Sequence, residues 1–173
     1  MRRYSRALSM GVLLVVGLDL SAQPNMVRNG GFEEGSAFVT DLGWTFPEGA
    51  VMEGGDAFEG KTYIRIKTVG KPTTASAVTS DLITVVPNSG YVARCRYRLS
   101  GTSAHVTFGV VDEGGAFIAC RDFYAGVKPY WSEAVLPFRT ERHGRLGVYA
   151  GRRYGQGEVL FDAIEHVADD SVR

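Results

Sequence analysis

Three arginines alternate along one predicted strand, and their spacing suggests a binding surface. Arg94, Arg96 and Arg98 occupy three alternate positions within residues 91–99. Because strand side chains alternate between the two faces of a sheet, all three guanidinium groups point the same way. Guanidinium donors bind carboxylates through paired hydrogen bonds and also bond hydroxyl groups. The pattern therefore predicts either a groove for an anionic or hydroxyl-rich ligand or a solvated outer face.

Tyrosines next to basic residues form a second candidate group. Tyr124 follows Arg121 by three positions, and Tyr149 and Tyr154 flank a pair of arginines. The apolar face of a sugar packs against an aromatic ring, while polar side chains bond its hydroxyls. The predicted ligand-binding residues are Arg94, Arg96, His105, Arg121, Tyr124, Tyr149 and Tyr154.

The sequence predicts no catalytic residues. The three histidines lack metal-ligand spacing, no Gly-x-Ser-x-Gly elbow is present, and Cys120 has no histidine nearby in sequence. Glu33 and Glu34 are adjacent, so a strand would send them to opposite faces. The remaining enzymatic alternative is a jelly-roll glycoside hydrolase or lyase, which needs two facing carboxyl groups.

Short apolar or alternating segments between turn residues indicate an all-β chain. Glycine accounts for 22 of the 173 residues, as suits a protein rich in turns. Compact reversals are predicted at 87–90 and 112–115. The predicted strands are 26–28, 50–53, 62–68, 75–86, 91–100, 105–112, 117–124, 130–140, 145–150 and 158–167. This spacing favours a two-sheet antiparallel β-sandwich of the jelly-roll type.

The N-terminal residues have the layout of a secretory signal peptide. Arg2, Arg3 and Arg6 precede an apolar run at 11–18, and Ser21 and Ala22 follow it. The run is shorter than the roughly 20 residues that a membrane-spanning helix needs. We therefore predict a signal peptide over 1–22, one domain over 23–173, secretion to the exterior, periplasm or cell surface, and no membrane insertion after cleavage.

The even balance of charge argues against nucleic acid as a partner. The chain has 19 basic and 19 acidic residues, whereas nucleic-acid binding depends on a concentrated basic surface.

Cys95 and Cys120 leave two possibilities open in an exported protein, a disulfide or a pair of buried free thiols.

Loose motifs spread over most of the chain resemble one known family. They are Val27 to Glu33, Gly43-Trp44, Gly60 to Ile66, Val85-Val86-Pro87, Tyr91, Asp112 to Gly115, Trp131 to Phe138 and Phe161-Asp162. In this order, they resemble the galactose-binding-like jelly-roll carbohydrate-binding modules attached to xylanases and glucanases. The resemblance implies a β-sandwich in which Trp44 and Trp131 fill the core. The alternative for each is an aromatic ring that packs against a sugar.

The same resemblance implies a structural calcium ion that joins the N-terminal turn, the loop before the third strand and the last strand. The positions that match are Glu33, Asp56 or Glu59, the carbonyl of Lys61, and Asp162. Carboxylate and carbonyl oxygens are the ligands that calcium takes. The chain departs from the family pattern at Ala163, where a second aspartate is common.

The function expected from sequence is non-catalytic binding of a polysaccharide or glycan on a concave sheet face. The alternative is an extracellular or cell-surface module that contacts another protein through the same face.

Overall fold

The computed structural model describes residues 24–34, 43–67, 75–125, 128–142 and 144–172, so the predicted signal peptide over 1–22 lies outside the described residues. The described chain is all-β, with antiparallel strands and no helix. The strands are β1 (Trp44–Thr45), β2 (Ala50–Gly54), β3 (Thr62–Lys67), β4 (Ser76–Ser80), β5 (Ile83–Thr84), β6 (Gly90–Asp112), β7 (Phe117–Ala125), β8 (Lys128–Arg139) and β9 (Arg145–Ala168). Within these described ranges, nothing helical is long and apolar enough to cross a membrane.

Two long strands form the centre of the fold. β6 joins the predicted strands 91–100 and 105–112, and β9 joins 145–150 and 158–167. They pair with each other from Tyr91 opposite Ala168 to Asp112 opposite Leu146, with register shifts on the way. Gly155 and Gly157 have φ angles of 101° and 121° at the shift, a conformation that glycine adopts without a steric penalty. The irregularity lets the paired strands change direction and contribute to two sheets.

The other strands extend this ribbon on both sides. At one end, β8 pairs with β6, β3 pairs with β9, and β2 pairs with β3; these strands form what we call the first sheet. At the other end, β7 pairs with β6, β4 and β5 pair with β9, and β1 pairs with β4; these strands form the second sheet. The inner faces of the two sheets contribute side chains to a single apolar core. The predicted two-sheet antiparallel β-sandwich is confirmed.

The register shift reverses which positions of β6 face the core. In the first sheet the odd-numbered residues, such as Cys95 and Leu99, are buried, and Arg94 is exposed. In the second sheet the even-numbered residues Val106 and Phe108 fill the core. Odd-numbered residues of this half, which include His105, therefore belong to the outer face.

Residues 26–28, predicted as a strand, form the start of a turn instead. The turn is held by the side chain of Asn25, which donates to the carbonyl of Ile164 at 2.9 Å and accepts from the backbone N–H of His166 at 3.0 Å. Phe32 is fully buried against Trp44, with ring centroids 5.2 Å apart. The prediction that Trp44 fills the core is confirmed.

The two cysteines are not bridged. Cys95 lies in the core on β6, and Cys120 is exposed on β7. Burial raises the pKa of the Cys95 thiol, so this thiol stays protonated and behaves as a small apolar side chain.

Replacing Gly30 tests how tightly the N-terminal turn meets the last strand. A Cβ on Gly30 would overlap the backbone carbonyl oxygen of Ile164. The two residues are also joined by a hydrogen bond of 2.9 Å, which the N–H of Ile164 donates to the carbonyl of Gly30. We expect Gly30→Ala to lower the free energy of unfolding by about 1 to 3 kcal/mol in urea titrations. Gly31→Ala is the matched control, because a Cβ there meets nothing within 4 Å. Equal stability of the two variants would contradict this packing.

His166 predicts a pH dependence of stability. Its fully buried ring lies 5.2 Å from the ring of Tyr91 and 5.4 Å from that of Phe138, and burial lowers its pKa from 6.5 to about 4. At pH values between these two pKa values, His166 is protonated in the unfolded chain and neutral in the folded chain. His166 therefore costs up to about 3 kcal/mol of stability as pH falls through this window.

We expect His166→Phe to lose less stability than the wild type between pH 6.5 and 4, measured by urea unfolding at several pH values. Parallel pH profiles for the two proteins would contradict the assignment.

Candidate functional site

Two aromatic rings pack together on the outer face of the second sheet, where nearby glycines leave space for them. A Cβ at Gly109 would lie 2.8 Å from the ring of Phe117, and one at Gly151 would lie 3.0 Å from the ring of Tyr149. The two rings pack edge to face with centroids 5.0 Å apart, and Phe117 is 45% exposed. They form an accessible aromatic platform.

A second aromatic pair lies further along the same face. The rings of His105 and Tyr154 are 4.3 Å apart, with Tyr154 exposed and His105 buried beneath its neighbours. His105 and Gly109 are four residues apart on β6, so the two aromatic pairs are separated by about 13 Å at 3.3 Å per residue. This separation gives the face an elongated shape.

Asp122 supplies the polar group between the two pairs. Its carboxylate accepts a hydrogen bond of 2.6 Å from Thr107 and lies 3.7 Å from Nε2 of His105 and 3.4 Å from the guanidinium of Arg153. Burial raises the pKa of Tyr149, so its phenol stays neutral and can both donate and accept a hydrogen bond. We call the surface formed by His105, Phe117, Asp122, Tyr149, Arg153 and Tyr154 the tyrosine face.

The structure brings together some of the predicted binding residues. His105, Tyr149 and Tyr154 lie on the tyrosine face, and the backbone of Tyr124 pairs with that of His105. Arg121 is exposed on β7 and directly precedes Asp122, so the two side chains point to opposite sides of the strand. Its guanidinium carbon lies 5.1 Å from the ring centroid of Phe123.

Arg94 and Arg96 lie elsewhere, on the outer face of the first sheet. Arg96 forms an ion pair with Glu133 at 3.0 Å, and its guanidinium carbon is 4.4 Å from the centroid of Phe58. The predicted arginines and tyrosines therefore do not share one groove.

Sequence reasoning missed Phe117 and Asp122, and it noted Arg153 only as one of the two arginines between Tyr149 and Tyr154. The available signal was the alternation of Cys120 and Asp122 on one side of β7. Their partners on β6 were not evident without the register.

Two of the predicted calcium ligands, Glu33 and Asp162, accept hydrogen bonds from backbone N–H groups of residues 58–62, which lead into β3. Oε1 of Glu33 accepts from the N–H of Lys61 at 2.7 Å and of Thr62 at 2.8 Å, which lowers the pKa of Glu33. Asp162 accepts from the N–H groups of Phe58 and Glu59 at 2.8 and 2.9 Å. Burial raises the pKa of Asp162, and the nearby charge of Glu33 adds to this.

The fit to calcium is partial. Repulsion between Glu33 and Asp162 would be relieved by a cation, but Asp56 is directed to Arg98 at 2.6 Å. Glu59 and Lys61 contribute backbone N–H groups to the two carboxylates. In the part of the chain that the structure describes, no three His, Cys, Asp or Glu side chains converge as metal ligands. Calcium binding stays a prediction.

Solved structures share this fold at low sequence identity. A CBM61 module in complex with β-1,4-galactotriose matches with a TM-score of 0.60 and 13% identity, over 84% of this chain and 99% of the module. The xylan-binding CBM22-1 domain of Paenibacillus barcinonensis Xyn10C matches with a TM-score of 0.58 and 17% identity, over 85% and 96%. No protein-family model and no curated protein sequence matches the chain.

An arabinose-bound GH51 α-L-arabinofuranosidase has a TM-score of 0.66 and 11% identity, over 83% of this chain. This chain covers 26% of that enzyme, about a quarter of its length. The CBM61 and CBM22-1 domains, by contrast, are covered nearly in full. The resemblance seen in the sequence is confirmed at the level of the fold.

Calcium is tested by thermal unfolding. If calcium joins Glu33 to Asp162, saturating calcium should raise the Tm of the protein by about 5 °C relative to excess chelator, since a ligand that binds only the folded state stabilises it. Glu33→Gln should abolish the calcium-dependent shift, and Glu34→Gln, one position along, should retain it. Identical Tm values with calcium and with chelator would contradict the prediction.

Proposed function

We propose that this protein is an exported, non-catalytic carbohydrate-binding protein that binds a hydroxyl-rich polysaccharide on the tyrosine face. The observation that carries the proposal is the accessible platform of Phe117 and Tyr149, next to the polar group of Asp122. Aromatic rings with a few fixed polar groups are the usual elements of a sugar site.

Each part of the face has a separate role in the proposed complex. The apolar side of one sugar ring packs on Tyr149 and Phe117, which removes apolar surface from water at about 25 cal/mol per Å². Hydroxyls of the next units donate to Asp122 and accept from Arg153. Tyr154 extends the contact along the chain of sugars.

The face is arranged before a ligand arrives. Tyr149 and Phe117 pack against each other, and Asp122 is held by Thr107 and Arg153. Side chains already restrained in the free protein lose less conformational entropy on binding. This favours recognition without a large rearrangement of the sheet.

The comparisons support the class of ligand through the shared fold. Modules of this fold are described in complex with galactotriose and as xylan-binding, so β-1,4-linked galactan and xylan are the first polysaccharides to test. The Asp122–Arg153 pair balances its own charge, which favours a neutral chain of sugars over a strongly anionic one.

The composition of the face supports binding without catalysis. Glycoside hydrolysis uses two carboxyl groups about 5 to 9.5 Å apart. Asp122 is the only carboxylate among the six residues that define the tyrosine face. The alternative, a module that contacts another protein, stays a prediction.

Affinity electrophoresis in gels containing soluble xylan or galactan tests the face. We expect at least one of these polysaccharides to retard the wild type, and Tyr149→Ala to weaken binding by about 10-fold or more through loss of the ring contact. Tyr149→Phe should retain most of the retardation, because the platform remains. Arg94→Ala, on the other sheet, is the control and should migrate as the wild type does.

Equal retardation of Tyr149→Ala and wild type would exclude the tyrosine face. Absence of retardation in both gels would count against glycan binding and favour the protein-contact alternative.

A further inference from the structure

A groove of about 360 Å³ lies on the outer face of the first sheet, on the sheet opposite the tyrosine face. Leu160 lies on its β9 side, and Tyr63, Arg65 and Arg98 line it from β3 and β6. The volume is at the small end of the roughly 300 to 1,000 Å³ typical of ligand sites. It suits one or two sugar units rather than a long chain.

Ion pairs fix the position of the polar groups around this groove. Arg65 contacts Glu53 directly and lies 3.3 Å from Glu158, whose carboxylate also lies 3.5 Å from Lys67. The side chains of Glu53 and Glu158 are about one third exposed. Both carboxylates thus retain lone pairs that solvent, or a ligand, can reach.

Charges around the groove balance. Arg65, Lys67 and Arg98 are matched by Glu53, Glu158 and Asp56, which contacts Arg98 at 2.6 Å. An anion would gain little net attraction here and would compete with carboxylates already in place. A neutral ligand with many hydroxyls can instead donate to the carboxylates and accept from the guanidinium groups.

An aromatic cluster adjoins the groove. The ring of Trp131 lies 6.2 Å from that of Tyr63 and 6.4 Å from that of Phe58, and the guanidinium carbon of Arg98 is 5.1 Å from its centroid. Trp131 is half-buried and packs on the outer side of the sheet, so the prediction that it fills the core is wrong. Phe58 is 45% exposed, so the cluster offers apolar surface to a sugar ring.

We propose that this groove is a second carbohydrate site, which takes a neutral monosaccharide or the end of a neutral glycan chain. The ligand class rests on the proposed function, but the site uses none of the residues of the tyrosine face. Occupation of both sites would let one molecule contact two glycan chains on opposite sides of the sandwich, which raises avidity for a dense polysaccharide.

The two tryptophan indole signals in a ¹H–¹⁵N NMR spectrum test the proposal. Trp131 donates its indole N–H to the carbonyl of Asp56 at 3.3 Å beside the groove, whereas Trp44 is buried and donates to Arg28. The protein is titrated with D-xylose, D-galactose, L-arabinose and D-galacturonate. At least one neutral sugar should shift the Trp131 signal saturably and leave the Trp44 signal in place.

The shift should persist in Tyr149→Ala and be weakened at least tenfold in Arg98→Ala, with an unchanged Trp44 signal showing that the variant is folded. Absence of a saturable Trp131 shift with all three neutral sugars would overturn the proposal. So would saturation by galacturonate alone, or loss of the shift in Tyr149→Ala. A separate result would refute polysaccharide binding on the tyrosine face, namely equal retardation of Tyr149→Ala and the wild type in the polysaccharide gels.

Discussion

The antiparallel pairing of β6 with β9 is the interaction on which the rest of the structure depends. Both strands pass from the first sheet into the second, and β3, β4, β7 and β8 each add to one of their edges. The register shift near Ser100 and the two glycines 155 and 157 make this passage possible. Because the shift reverses the buried positions of β6, it also decides which side chains reach each outer surface.

The two outer surfaces differ in how their polar groups are held. On the tyrosine face a single carboxylate, Asp122, links a threonine and an arginine between two aromatic pairs. On the first sheet a chain of ion pairs through Arg65 surrounds a compact groove. The first surface is elongated and suits a chain of sugars, and the second suits a short ligand. The N-terminal turn is joined to the last strand through Asn25 and to the start of β3 through Glu33.

The strands and the core could be predicted from sequence because they depend on local patterns. The alternation from 91 to 99 gives the correct buried face, and the turn at 112–115 has the expected hydrogen bond between Asp112 and Gly115, at 3.0 Å. The fold class followed from the spacing of such segments. Trp44 was correctly assigned to the core, but Trp131 was not, because a large aromatic residue on a strand gives no indication of which face it occupies.

The candidate site was less predictable because it depends on strand partners and on the register shift. Arg96 and His105 are nine residues apart on one strand, yet they belong to opposite surfaces of the sandwich. The platform requires Gly109 on β6 to lie beside Phe117 of β7 and opposite Tyr149 of β9, relations visible only once the pairing is known. Asp122 became a candidate only when its neighbours Thr107 and Arg153 were placed around it.

The most direct test of the central claim is the position of a bound oligosaccharide, mapped by backbone amide chemical shifts with β-1,4-galactotriose and xylotriose. Glycan binding on the tyrosine face predicts that the largest saturable shifts with at least one of these ligands fall on β7 and on the second-sheet halves of β6 and β9. Saturable shifts confined to the first sheet, or no saturable shifts with either ligand, would contradict it.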